Sequence, residues 1–295
     1  MSKFQDKNIG VLTNVELKQT KYKILYWVMF ALLIMVALIS FMPSVWVLLS
    51  GFKSVQEIYA IPPSLLPERI DLSKLGYVWN TMNFTQSYVS TFVMTAGNLV
   101  AAILVPAIAG YVLSRLQPKG SKLMLAMLLW SMMMPGTIRL VPLFSVFIDM
   151  PVLHLNLTNT YWPFIIMSAS NIFDTFLFKN YFDSISISYL EAARIDGCGN
   201  MRIFFKIVLP LAMPIVMVVA IFTVNNAWSS FLWPLLIFKN EELMPVAVKI
   251  FRMKGEYSLD LYMLSLVFAF IPPTIIYICF QKQILGGLAA GGVKG

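Results

Sequence analysis

Histidine occurs once and cysteine twice in 295 residues, and charged side chains make up only 12% of the chain. A lone His154 cannot assemble a metal cluster; it reads as a polar residue of a short outer loop. Cys198 and Cys279 stand far apart, so neither a disulfide framework nor a paired-cysteine zinc site is suggested. Equally absent are a nucleophile–base pair, a metal-ligand spacing and a phosphate-cradling Gly-x4-Gly-Lys-Ser/Thr loop. No basic run with interleaved aromatics occurs, which excludes nucleic-acid binding. The chain therefore offers no catalytic residue, metal site or cofactor site of its own.

Apolar residues are abundant instead. They make up 59% of the chain, with a mean hydropathy of +0.76, whereas a soluble chain is about half apolar and a quarter charged. Composition points to an integral membrane protein, and its long apolar runs, read as spanning helices, to an all-α one. Residues 1–23 form a polar, lysine-bearing tail. The apolar run Ile24–Leu49 is too long for a signal-peptide core, lacks a small-residue cleavage site, and reads as a retained first span. A polar stretch over residues 51–87 suits an outer loop with a short helix. Further spans are expected at Tyr88–Leu113, Lys122–Ile148 (interrupted at Met134-Pro135-Gly136 and Pro142), Tyr161–Phe178, Ile203–Phe238 and Leu259–Gln281. Residues 24–283 thus make one six-helix membrane domain. The glycine-rich tail, residues 284–295, is expected to be loose unless a partner orders it.

Lysine and arginine set the orientation. With both termini inside, the inner segments carry fourteen of these residues and the outer segments seven, with Arg139 inside the third span. The outer segments also hold eight acids, so the net charge of +8 is mostly topological and needs no basic partner surface.

Between the fourth and fifth spans lies a polar island, residues 183–206. Ser188 and Glu191 stand in capping-box spacing, Ala192 and Ala193 favour helix, and Gly197 can supply the left-handed residue that ends it. Asn200 is placed to cap a second helix from Met201, which Pro210 and Pro214 would bend at the bilayer.

Glu191-Ala192-Ala193, three residues, Gly197, nine residues, then Ile207-Val208-Leu209-Pro210 resembles the signature loop of ABC importer permeases. The resemblance implies the type I ABC importer permease fold, six transmembrane helices with a cytoplasmic coupling helix that docks on an ATPase. It places Glu191, Ala192, Ala193, Asp196, Gly197, Leu209 and Pro210 in that coupling. Trp228-Ser229-Ser230-Phe231-Leu232-Trp233-Pro234, Met134-Pro135 with Val141-Pro142-Leu143-Phe144, and the ending Gly286-Gly287-Leu288…Gly291…Val293-Lys294-Gly295 are similar to the carbohydrate, maltose-type branch. Two departures stand out: Ser229-Ser230 replaces an Asn-Asp-like pair, and Ser186 stands where a proline is common. The implied partners are a second permease, two ATPase subunits that bind ATP and Mg, an extracytoplasmic solute-binding protein, and a sugar or oligosaccharide. The implied location is the cytoplasmic membrane of a bacterium or archaeon.

A sugar path needs amides, hydroxyls and aromatic faces. The fifth span supplies Asn225, Asn226, Trp228, Ser229 and Trp233, with Asn225 and Ser229 on one face. The same amides also suit helix–helix ties, and the tryptophans suit outer-interface anchors. Arg139 must avoid lipid. It either snorkels or pairs with an acid of a partner, or it faces the path and favours an acidic or strongly hydrogen-bonding saccharide. The reading from another class is a transporter driven by an ion gradient, for which Asp174, near Lys179, is the one intramembrane acid.

Overall fold

In the computed structural model, which describes residues 20–292, the chain is helical, with two isolated bridges and no strand among the described residues. The two tails expected from the sequence lie partly outside this range. One compact unit comprises residues 20–72 with Leu259–Val267, and the second comprises Ser73–Ser258 with the residues from Phe268 onward.

The first unit begins with α1 (Thr20–Ser50), apolar on all sides. In the polar stretch that follows, Ser54 and Glu57 form a capping box on α2 (Val55–Tyr59). Hydrogen bonds to Glu57 from the amides of Ser54 and Glu68 hold its carboxyl below the ordinary value. Lys53 is fully buried, donates to the Ser64 carbonyl and lies 4.3 Å over the Trp46 ring.

The second unit is organised on α4 (Phe84–Tyr111), which follows α3 (Ser73–Thr81) and ends in a π-turn, Val112–Leu116. The third expected span is two helices, α5 (Ser121–Met132) and α6 (Gly136–Ile148), bent by 104° at Met133–Pro135. Pro142, expected to interrupt it as well, sits inside α6 without a break. The fourth is α7 (Trp162–Ala169) and α8 (Ile172–Ser184), parted at Ser170–Asn171 because Asn171 caps α8 through the amides of Phe173 and Asp174. After α9 (Ile187–Ile195) and α10 (Asn200–Ile203) comes a second π-turn, Phe204–Val208, then α11 (Leu209–Leu211) and α12 (Met213–Ser229). The 77° bend between the last two lies where Pro210 and Pro214 were expected to produce it.

After α12 come two short helices, α13 (Leu232–Ile237) and α14 (Val246–Met253). The segment around Lys249–Arg252 lies in this amphipathic helix: Val246, Val248, Ile250 and Met253 are buried, and Lys249 pairs with Glu241 at 2.9 Å. His154 stands in a loop at φ 47°, with Nδ1 3.1 Å from Asp149 Oδ1. The last helix, α15, runs Leu259–Gly292, so the backbone of residues 284–292 is helical rather than loose.

By length and composition, α1, Phe84–Leu116 and Leu259–Gln281 can each cross a membrane, and counting each bent pair as one span gives five. The remaining expected span, the fourth, is the α7–α8 pair. Its halves are short because the polar cap at Asn171 divides the apolar run.

Candidate functional site

Two features of the second unit carry chemistry: the exposed loop built on α9, and a polar cavity among broken helices.

Leu190 and Ala193, three residues apart on α9, are buried in a core that includes Tyr111 of α4, Phe178 and Phe182 of α8, Phe204 and Val208 of the second π-turn, and Val216 of α12. The helix is thus bolted to α4, α8 and α12. Its start differs from expectation. Ser186, not Ser188, is the N-cap, accepting from the Ser188 amide at 3.4 Å, and the Ser188–Glu191 capping box does not form. The reason lies upstream, where Arg115, from the π-turn after α4, donates to the carbonyls of Phe182 and Ile185. This satisfies the C-terminal carbonyls of α8, complements its dipole, and leaves Ser186 as the first residue free to begin a new helix. Likewise Asn200 is the first residue of α10 and Gly199 its N-cap.

The end of α9 follows expectation. Gly197 has φ +76°, its amide donates to the Arg194 carbonyl at 3.0 Å, and the Cys198 amide donates to the Ala193 carbonyl at 2.9 Å. This is a Schellman turn, and it normally brings an apolar contact from the residue after the glycine; here the Cys198 side chain packs on the shared core. A polar clamp supports the base. Asp183 accepts from Ser114 and Lys179, both at 2.6 Å. Burial pushes the Asp183 carboxyl up, but the two hydrogen bonds and the charges of Lys179 and Arg115 outweigh it and hold the group below the ordinary carboxylate value. A depressed pKa means that the clamp's contribution holds above the unfolded carboxylate range and fades as pH falls through the folded value.

Among the residues expected in coupling, Glu191, Ala192, Asp196, Gly197 and Pro210 are exposed, Leu209 is half-buried, and Ala193 faces the core. Around them Ile187, Tyr189, Ile195 and Met201 are solvent-facing, Ile195 at 86%. A polar loop that displays four large apolar side chains from a rigid mount has the character of an interaction surface.

The cavity has a volume of about 170 Å³ and is bounded by α4, α7, α8 and α12. Asn98, Ser168, Asn171, Asp174, Thr223, Asn226 and Ser230 supply its polar groups, and Phe164 and Met167 part of its apolar wall. Of the residues proposed for a sugar path, only Asn226 lines it. Asn225 and Ser229 are exposed and tied to each other, Ser229 Oγ donating to the Asn225 carbonyl at 2.9 Å. Trp228 is buried edge-on to Tyr88 and Phe92, at 5.7 and 5.4 Å between ring centroids, and Trp233 stands 5.9 Å from Phe147. Arg139 is exposed on α6 and does not line the cavity, and it has no hydrogen bond or ion pair among the described residues. Asn98, Ser168, Asn171 and Thr223 lie within apolar runs, and sequence reasoning missed them. Asn171-x-x-Asp174, a capping pattern inside an expected span, was the available signal.

Comparison with known proteins agrees with this architecture. The family model described as "Binding-protein-dependent transport system inner membrane component" matches residues 73–287. The chain is 30% identical to the probable ABC transporter permease protein YurM of Bacillus subtilis, covering 86% of this chain and 83% of that one. It is 28% identical to the arabinooligosaccharides transport system permease protein AraQ of Halalkalibacterium halodurans, covering 95% and 100%. Among solved structures it resembles a chain of a bacterial ABC transporter involved in the import of the acidic polysaccharide alginate, with a TM-score of 0.81, 25% identity, and coverage of 90% and 98%.

Proposed function

Because the chain belongs to the family of binding-protein-dependent transport system inner membrane components, we propose that it is one permease of an ATP-driven importer of a sugar or oligosaccharide. The observation that carries the mechanism is the α9 loop, an apolar docking surface fixed to the core that α4, α8 and α12 share. The loop sits on a separate ATPase, with Glu191, Asp196 and Gly197 at the contact and Ala193 and Leu209 holding the mount. Closure of two ATPase subunits on ATP draws this loop towards that of a second permease. Since Phe178, Phe182, Phe204 and Val216 pack on the same core, the displacement passes to three membrane segments as one body. A close-packed interior transmits such a shift rather than absorbing it. An extracytoplasmic binding protein delivers the sugar to the opposite face. Hydrolysis occurs on the ATPase, so ATP and Mg are bound there. The relatives named for arabinooligosaccharide transport and alginate import support a saccharide as the substrate class.

Uptake of labelled saccharide into vesicles holding the assembled importer and its binding protein tests the reading. It should require internal ATP and cease when the ATPase subunits are omitted. Uptake sustained by an ion gradient alone would refute it and favour a gradient-driven carrier.

The orientation gives a second expected result. With both termini inside, the exposed Glu256 beyond α14 faces outward and Cys198 inward. In intact cells a membrane-impermeant thiol reagent should label Glu256→Cys and leave Cys198 unmodified; the opposite pattern would invert the topology and remove the ATPase docking site.

A further inference from the structure

Resting on the permease reading above, we propose that the cavity between α4, α8 and α12 is a saccharide subsite of this chain, in which Asp174 selects neutral sugars over acidic ones. Two helix breaks meet there. Asn171, at the α7–α8 break, and Ser230, just after α12, both line it. The first break falls about 13 Å along the α7–α8 pair at 1.5 Å per residue. Non-helical backbone within a spanning segment persists where it lines a water-filled cavity or is buried in protein.

Asp174 is 4% exposed, lines the cavity, and its carboxylate accepts no hydrogen bond and joins no ion pair among the described residues. Lys179, the nearby cation in sequence, is committed to Asp183 at 2.6 Å. Nor does Asp174 serve as a helix cap. An acid at the third helical position normally reaches back to the N-cap amide, but the Asn171 amide donates to the Ser168 carbonyl. A buried acid without a partner is costly, and within a span such a residue marks a functional site.

The surrounding groups narrow the ligand. Asn171 Oδ1 is occupied by the amides of Phe173 and Asp174, which leaves its NH2 group to donate. Asn98, with its amide turned to satisfy its neighbours, donates to the carbonyls of Phe164 and Met94 at 3.1 and 3.2 Å and keeps Oδ1 as an acceptor. Thr223 and Ser230 offer hydroxyls, and Asn226 a further amide. An ionised carboxylate is acceptor-only with two oxygens, suited to two adjacent hydroxyls of a sugar ring. Phe164 and Met167 present apolar surface to a C–H face. Among the described residues no lysine, arginine or histidine lines the cavity, so a uronate would bring its own carboxylate against Asp174 uncompensated.

The test uses the assembled permease–ATPase complex in lipid nanodiscs, without binding protein, so that the membrane site alone is read. Saturation-transfer NMR is measured with three neutral disaccharides (melibiose, arabinobiose and diacetylchitobiose) and with digalacturonate. Wild type should bind at least one neutral probe about tenfold or more tightly than digalacturonate. Asp174→Asn should weaken that probe by about tenfold or more, as expected for losing a hydrogen bond to a charged group, and should erase the preference over digalacturonate. Thr223→Val should weaken the neutral probe while keeping the preference. The proposal fails if wild type binds none of the neutral probes, if it binds digalacturonate equally well, or if Asp174→Asn keeps wild-type affinity and preference. Should Asp174→Asn not assemble, unchanged affinity in both Thr223→Val and Asn226→Ala would refute it. Loss of ATP-dependent uptake in the wild-type importer would instead sink the permease reading, independently of these binding results.

Discussion

Gly197→Asp should leave the protein inserted and folded, abolish uptake, and leave the ATPase subunits poorly retained on purification. At φ +76° the substitution meets backbone strain of about 1–2 kcal/mol, at the low end for aspartate. That strain alone is too small to unfold a packed domain. A Cβ added at Gly197 would meet nothing of the chain within 4 Å, so the space it enters is free until a partner fills it. Gly120 makes the control. It too has a left-handed backbone, at φ +92°, with nothing within 4 Å of an added Cβ, but it lies outside the α9 loop. Gly120→Asp therefore imposes comparable strain and should retain uptake. Wild-type transport by a well-assembled Gly197→Asp complex, or equal loss in both variants, would separate Gly197 from coupling.

The second large effect is expected at Gly110, where α4 passes α8. A Cβ there would lie 2.9 Å from the Lys179 backbone nitrogen and from Phe178 Cβ, and 3.2 Å from the Thr175 carbonyl oxygen. Backbone cannot rotate away as a side chain can. Overpacking typically costs about 1–3 kcal/mol, and Gly110→Val should reach or exceed the upper end because the three added carbons press on the helix that carries the Arg115 and Asp183 contacts. Heating the detergent-solubilised complex and following its elution by fluorescence should show early loss of Gly110→Val. Gly97→Ala should lose far less, since the crowding atoms there belong only to the Ile165 side chain. A Gly110→Val complex as heat-resistant as wild type would refute the close approach of α4 and α8.

What the sequence determined by itself is what depends on composition and on neighbours along the chain. Hydropathy alone makes this a helical membrane protein. The turn at Gly197 was legible because the Schellman geometry needs one residue in the left-handed region, and glycine adopts it at little cost. The bend before α12 was legible because proline removes a donor wherever it falls. Tertiary structure decided what two nearby residues could do equally well. Ser186 and Ser188 are both competent caps, and only the hold of Arg115 on the end of α8 assigned the cap to Ser186. It also decided which polar residues of the spans share a space. Asn98, Asp174, Thr223 and Asn226 come from three helices far apart in sequence, and no local pattern encodes their convergence. It turned Ala193 inward and left Ile195 outward on the same short helix, because the core that receives one face of α9 is assembled from α4, α8 and α12.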